Sequence, residues 1–182
     1  DVSLEAAQEH KKRHIAAKLL LEPGMRVLDI GCGWGGLALS LAEMERLEVV
    51  GVTLSREQLT VARKRAKQAQ LEERVRFALQ DFREIEGRFD RIVSVGMFEH
   101  VGTRNYAAFF RKIRNLLTAE GIALIHSDWP HQWPGDHECM DTKVHFSWRT
   151  HSRSLRGCAS HRACGPDYDR LGNPAPALCG NA

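Results

Sequence analysis

The sequence predicts an α/β fold: an open, mostly parallel sheet with helices on both faces. Three observations lead there. Strand-like and helix-like periodicities alternate regularly over residues 1–127. The strand candidate Leu47 to Thr53 is nearly all apolar, as a strand buried on both faces is. A glycine-rich turn joins the first strand to the helix that follows it. The 182 residues fit one compact domain and are few for two.

Taken in order, Leu4 to Leu21 reads as a helix with Ile15, Leu19 and Leu20 near one face, stopped by Pro23-Gly24. Met25 to Ile30 is the first strand, and a helix follows from about Trp34 to Glu45. Leu47 to Thr53 is the second strand. Ser55-Arg56-Glu57-Gln58 then has capping-box spacing, in which the Ser hydroxyl and the Gln amide would meet free N–H groups of a helix running to about Ala69. Arg74 to Leu79, Phe89 to Val95 and Ile122 to His126 are three further strands. Arg104 to Leu117 is the helix between the last two, with Gly121 ending that connection and Phe109-Phe110 read as core.

Composition narrows the function classes. Apolar residues make up 43% and charged residues 27%, a globular balance that excludes a wholly disordered chain. No run reaches the roughly 18 to 20 apolar residues of a spanning helix, and the first residues carry no apolar leader, so the expected location is cytoplasmic. A formal charge of +3 is too small to argue for nucleic acid and is compatible with an anionic membrane surface. Arg63, Lys64, Arg65 and Lys67 form a basic stretch that reads first as a solvated helix face and, more sharply, as a contact for anionic headgroups. The lack of an initiator Met leads us to expect a fragment or trimmed product.

Composition changes abruptly near Ser127. Residues 128–182 hold four of the five Cys and five of the six Pro, with Val144, Leu155, Leu171 and Leu178 as their aliphatic residues larger than Ala. We therefore expect a domain over 1–127 and an atypical, disordered tail over 128–182. His137, Cys139, Cys158, His161 and Cys164 offer soft metal ligands at close spacing, but not as the two spaced pairs flanking turns that zinc motifs use, so no metal is expected.

The chemistry is concentrated in Gly31-Cys32-Gly33-Trp34-Gly35-Gly36, which follows a strand and opens a helix. Glycines there let the backbone turn tightly and approach a ligand. The string fits a dinucleotide fingerprint, so a nicotinamide-dependent oxidoreductase is one reading. Against it, the second strand ends in Gly51-Val52-Thr53 without the acid that binds a ribose diol, and Asp29 would face a pyrophosphate badly. An acid at Asp29 suits a cationic ligand. Asp29 to Gly35 reads D-x-G-x-G-x-G and resembles the first motif of Rossmann-like S-adenosylmethionine-dependent methyltransferases.

Further strings sharpen that resemblance: Val27 to Gly36, Val50-Gly51-Val52-Thr53-Leu54-Ser55 with Gln58, Gln80-Asp81-Phe82-Arg83, and Phe89 to Gly102 with its Phe98-Glu99-His100. Together they resemble the cyclopropane-fatty-acyl-phospholipid synthase family, relatives of the mycolic acid cyclopropane synthases, over about residues 3–127. The resemblance implies that Asp29, Gly31 and Gly33 line the methionine and ribose part of the S-adenosylmethionine site. It implies that Thr53 and Gln58 approach the ribose and adenosine, and that Gln80 and Asp81 meet the adenine edge. It also implies that Glu99, and His126 after the fifth strand, hold a bicarbonate near the reacting carbon.

The implied reaction transfers a methylene group to the double bond of an unsaturated phospholipid acyl chain, forming a cyclopropane. The alkene takes the methyl group, positive charge develops on the neighbouring carbon, and a proton leaves the new methyl so that the ring closes. An anionic, dry pocket would stabilise that charge. The partner would be phospholipid at the membrane surface, with peripheral placement at the inner membrane. The family pattern is truncated at both ends: a cysteine-bearing loop before it and a tyrosine-bearing lipid-pocket segment after it are not visible, so an inactive cofactor-binding remnant is another reading.

Where the family continues with a tryptophan-containing region and a Pro-Gly-Gly turn, this chain reads Asp128-Trp129-Pro130-His131. Asp136 to Arg149 has a codon assignment in which dropping one nucleotide gives Thr-Thr-Asn-Ala-Trp-Ile-Gln-Lys-Tyr-Ile-Phe-Pro-Gly-Gly, similar to the missing segment. Ala175 to Ala182, moved by the same offset, gives Arg-Leu-His-Tyr-Ala-Glu-Thr. We expect a reading-frame shift near Ser127 to Asp128.

Overall fold

The computed structural model describes residues 3–128 and 143–149. Helix α1 (Leu4–Leu19) starts at Ser3, whose hydroxyl accepts the Ala6 N–H at 3.2 Å. It ends at Leu19, two residues before the end that the sequence predicts, because Leu20 turns left-handed at φ 48°. The strands and helices that follow are β1 (Arg26–Ile30), α2 (Gly36–Met44), β2 (Glu48–Thr53), α3 (Arg56–Gln68), β3 (Val75–Leu79), β4 (Phe89–Val95), α4 (Tyr106–Leu116) and β5 (Leu117–Asp128). Short 3₁₀ turns lie at Phe82–Glu84, Phe98–His100 and Thr103–Asn105.

The sheet order is β3-β2-β1-β4-β5, all parallel, with β6 (Lys143–Arg149) antiparallel on the outside of β5. The chain therefore winds outward from β1 to β3, then returns to lay β4 on the other side of β1. Asp29 lies between Gly51 of β2 and Val93 of β4 at that reversal. Strand residues alternate between two cores. Val27, Val49 and Leu124 join Ile15, Leu41 and Ala62 under α1, α2 and α3. Leu28, Ala123 and Ile125 join Phe109, Ile113 and Leu116 under α4. Helices on both faces follow from that alternation.

Two boundaries depart from the sequence reading. Strand β5 begins at Leu117, directly after α4, and not at Ile122. Gly121 lies inside this strand, where an added Cβ would come within 2.8 Å of Leu117, so it permits a close approach and does not end a helix. Strand β6 lies within 128–182, which the sequence reading leaves without regular structure. Its sequence alternates Val144, Phe146 and Trp148 with polar residues, a strand period that the composition of the tail obscures. The other tail residues, including the five candidate metal ligands, lie outside the described residues.

Arg91 on β4 ties the end of α1 to the sheet. Its side chain is buried, donates to the Leu19 carbonyl, and reaches the Leu20 carbonyl at 2.9 Å and the Asp90 carbonyl at 2.8 Å. A cation at a helix C-terminus also meets the negative end of its dipole. Arg91→Met would leave the α1 carbonyls without these donors. We expect a loss of about 2–4 kcal/mol in urea denaturation, the range for breaking a buried charged hydrogen-bond set.

Candidate functional site

The carboxyl ends of β1 and β4 open the crevice in which doubly wound sheets place ligands. The loop after β1 is built for close backbone approach. Gly31 N–H and Cys32 N–H both donate to the Val52 carbonyl at 3.0 Å, extending the sheet pairing into the turn. Gly31 has φ 79°, and a Cβ there would fall 2.7 Å from Met97. That contact brings the glycine turn against the segment leading to Glu99. Gly33 also has positive φ, at 55°, but a Cβ there would meet nothing within 4 Å, so this side of the turn is open. Helix α2 starts at Gly35 with no side-chain cap.

Asp29 is 2% exposed, and its Oδ2 has no hydrogen-bond partner among the described residues. Burial pushes its carboxyl up to about 7. A buried carboxyl of this kind is costly unless a cation or donor completes it. Its neighbour Cys32 is also buried, and burial followed by the nearby Asp29 pushes the thiol up to about 12, which leaves it an inert apolar group.

At the end of β2, the Thr53 hydroxyl donates to Gln58 Oε1 at 2.7 Å and accepts the Ser55 N–H at 3.2 Å. Ser55 caps α3 by accepting the Gln58 N–H at 3.2 Å. Only half of the predicted capping box forms, because Thr53 takes the Ser55 N–H that the Gln58 side chain was expected to meet. Gln80 anchors the end of β3 to β2: its N–H donates to the Thr53 carbonyl at 3.1 Å, while its side-chain amide donates to the Glu84 carbonyl at 3.2 Å. Asp81 caps the next turn through the Arg83 N–H at 2.9 Å and binds the Arg83 guanidinium at 2.6 Å. These hydrogen bonds, opposed by partial burial, hold its carboxyl below the usual carboxylate range.

Glu99 sits in the 3₁₀ turn after β4 and is half-buried. The turn packs on β5, and its Phe98 is buried against Tyr106, Phe109 and Phe110 with ring centroids 4.3, 5.1 and 5.4 Å away. His126 lies within β5 and not after it, level with Val95 at the end of β4, and its carbonyl accepts the Gly96 N–H at 3.1 Å. Glu99 thus lies in a turn packed on the strand that carries His126.

Sequence reasoning missed two features of this edge. Leu54 and Leu79 are exposed by 74% and 43% at the adjacent ends of β2 and β3, an apolar pair beside Thr53. Their signal was a large aliphatic residue just past or at a strand end. Phe109 was read only as core, yet it touches both Phe98 and Phe82, the neighbours of Glu99 and Asp81, at 5.1 and 5.2 Å. Of the basic stretch, Arg63 donates to the Phe77 carbonyl and so joins α3 to the edge strand β3, while Arg65 donates to the Trp34 carbonyl and joins α3 to the glycine turn. Among the described residues, no three His, Cys, Asp or Glu side chains gather as a metal set, and no helix is long and apolar enough to cross a membrane.

The strand order, the glycine turn and the buried acid before it define the cofactor-binding part of a Rossmann-like S-adenosylmethionine-dependent methyltransferase fold. Comparison with known proteins identifies the branch. Residues 1–145 match the mycolic acid cyclopropane synthetase family, past the Ser127 break, and the chain belongs to that family. It is 51% identical over 125 residues to the cyclopropane-fatty-acyl-phospholipid synthase of Escherichia coli K12, a match that covers 69% of this chain and 32% of that protein. It is 40% identical over 147 residues to the S-adenosylmethionine-dependent methyltransferase UmaA of Mycobacterium tuberculosis, covering 81% of this chain and 51% of UmaA. Among solved structures, the mycolic acid cyclopropane synthase CmaA1 complexed with SAH and CTAB superposes with a TM-score of 0.67 at 38% identity, over 69% of this chain and 44% of that one. The chain spans about a third of the length of the Escherichia coli relative.

The buried acid gives a pH prediction. An unfolded Asp titrates near 3.9, below the folded value of about 7. The folded chain thus holds the extra proton between these values, and stability falls as pH rises through them. Asp29→Asn removes that penalty. In urea denaturation without ligand, the variant should match the parent below about pH 4 and gain on it up to pH 8, by about 3–4 kcal/mol.

Proposed function

We propose that this chain is the cofactor-binding part of an enzyme that transfers a methylene group from S-adenosylmethionine to the double bond of an unsaturated phospholipid acyl chain. The observation that carries the reading is Asp29: a buried carboxyl with an unpartnered oxygen, beside a glycine turn whose Gly33 side is open. That site fits a cationic ligand with a compact end.

When bound, S-adenosylmethionine supplies an electrophilic methyl on a positively charged sulfur. Asp29 complements the positive charge of the methionine part, and ligand binding favours its ionised form. Gly31 and Gly33 allow the backbone to approach. Gln58, with Thr53 beside it, would meet the ribose and adenosine, the exposed Leu54 and Leu79 would offer an apolar face to the adenine ring, and Gln80 and Asp81 would lie at its edge. Glu99 and His126 would hold a bicarbonate, which supplies a small base that is not itself part of the chain. The turn that carries Glu99 packs on β5, the strand that carries His126, which suits a shared anion held by hydrogen bonds from both sides.

Residues 1–127 form the partial methyltransferase domain in this reading, and 128–182 a tail arising from a frame shift, of which Lys143–Arg149 pairs with β5. The substrate is met at a membrane surface, on the cytoplasmic side, through the basic face of α3. The match of the Escherichia coli and mycobacterial relatives, named as lipid cyclopropane synthases, supports the lipid substrate class.

Calorimetry of the chain with S-adenosylmethionine and with NAD should show binding of the first and at least tenfold weaker binding of the second. Preference for NAD would overturn the methyltransferase reading. In cells expressing the intact enzyme, mass spectrometry of phospholipid acyl chains should show a gain of one CH2. Glu99→Gln and His126→Ala should each reduce that gain by roughly a hundredfold, the scale of a lost acid–base group. An undiminished gain would remove these two residues from the chemistry.

A further inference from the structure

We propose that Thr53 is a positioning residue whose hydroxyl fixes the polarity of Gln58, so that Gln58 offers only N–H donors to acceptor atoms of the adenosine portion. The proposal rests on the S-adenosylmethionine reading and refines how that ligand is recognised.

A hydroxyl has one proton to give. The Thr53 hydroxyl gives its proton to Gln58 Oε1 at 2.7 Å and accepts the Ser55 N–H at 3.2 Å. Thr53 is 6% exposed, so a hydroxyl proton left without an acceptor there could not turn to bulk water. Turning the Gln58 amide over would place its NH2 against this hydroxyl and take away the Oε1 acceptor that its proton has here. The Thr53 hydroxyl thus selects the amide orientation, with Oε1 inward and Nε2 outward.

Two further contacts hold the pair. Ser55 Oγ accepts the Gln58 backbone N–H at 3.2 Å, which fixes the first turn of α3. The Thr53 carbonyl accepts the Gln80 N–H at 3.1 Å, which fixes the strand end. Gln58 is half-buried, its oxygen is occupied, and its Nε2 makes no hydrogen bond among the described residues.

The chemical consequence is specific. An acid at a strand end accepts protons from a ribose diol; Gln58 in this orientation donates. The partner atoms must be acceptors, the ribose hydroxyl oxygens or an adenine ring nitrogen. Thr53 contributes to affinity through Gln58 and not by its own contact.

A double-mutant cycle read by calorimetry with S-adenosylhomocysteine separates these roles. Thr53→Val keeps the shape and removes the hydroxyl. It should weaken binding about tenfold in the parent chain and by less than twofold when Gln58 is already Ala, while Thr53→Ser should restore binding to within about threefold. A loss above twofold from Thr53→Val in the Gln58→Ala background, or no loss in the parent, would overturn the proposal. The chain without ligand gives a second readout by NMR. The Gln58 side-chain NH2 pair should be dispersed in the parent and the Ser variant and collapse towards free-amide positions in the Val variant, with the remaining backbone spectrum unchanged. An NH2 pair that does not respond to Thr53→Val would overturn it. Failure of the parent chain to bind S-adenosylhomocysteine would instead overturn the cofactor reading.

Discussion

The parallel pairing of β1 with β4 is the constraint on which the site depends. Val27, Leu28 and Asp29 pair with Arg91, Ile92 and Val93, side by side in the sheet although more than sixty residues separate them in sequence. That pairing reverses the winding of the chain and leaves a crevice at the strand ends. It also brings Gly31 against Met97, a contact that leaves no room for a Cβ at Gly31. The glycine turn and the segment carrying Glu99 are therefore held at one place by backbone geometry. Asp29, two residues before that turn, lies on the central strand between Gly51 and Val93 and is buried.

Around this junction, apolar packing sets the distance between groups that are remote in sequence. Phe109, fully buried on α4, contacts Phe82 and Phe98. One neighbour of Phe82 is Asp81 and one neighbour of Phe98 is Glu99. The rings thus fasten the end of β3 and the end of β4 to a single helix. Polar groups then orient what the rings place: Arg83 holds Asp81, and Thr53 holds Gln58. Dense packing below and few, directed hydrogen bonds above is what a site needs when a small ligand must be met in one geometry.

Strands β1 to β4 were legible in the sequence as short, largely apolar runs, β6 was hidden by the composition of the tail, and the glycine turn was legible because it sits between a strand and a helix. Boundaries shifted by a residue or two where capping was decided by distant groups, as at Leu20, whose carbonyl is met by Arg91. The loopless passage from α4 to β5 was hidden because Gly121 reads as a stop, whereas its role is a close approach to Leu117. At the site, Asp29 and the glycines could be read from their order. The partnership of Thr53 with Gln58 could not, since the capping-box pattern starts at Ser55 and omits the hydroxyl two residues before it. The convergence of Phe82, Phe98 and Phe109 is a property of packing and leaves no periodic trace.

The central claim is that one edge of this sheet, built around Asp29, receives S-adenosylmethionine. Amide hydrogen exchange of the chain, with and without S-adenosylhomocysteine, tests it most directly. The account predicts slower exchange confined to the loops after β1, β2 and β3, around residues 30–36, 53–58 and 80–83, with no change at the opposite edge near residues 24, 87 and 118. Protection at that opposite edge, or none at residues 30–36 under saturating ligand, would contradict it.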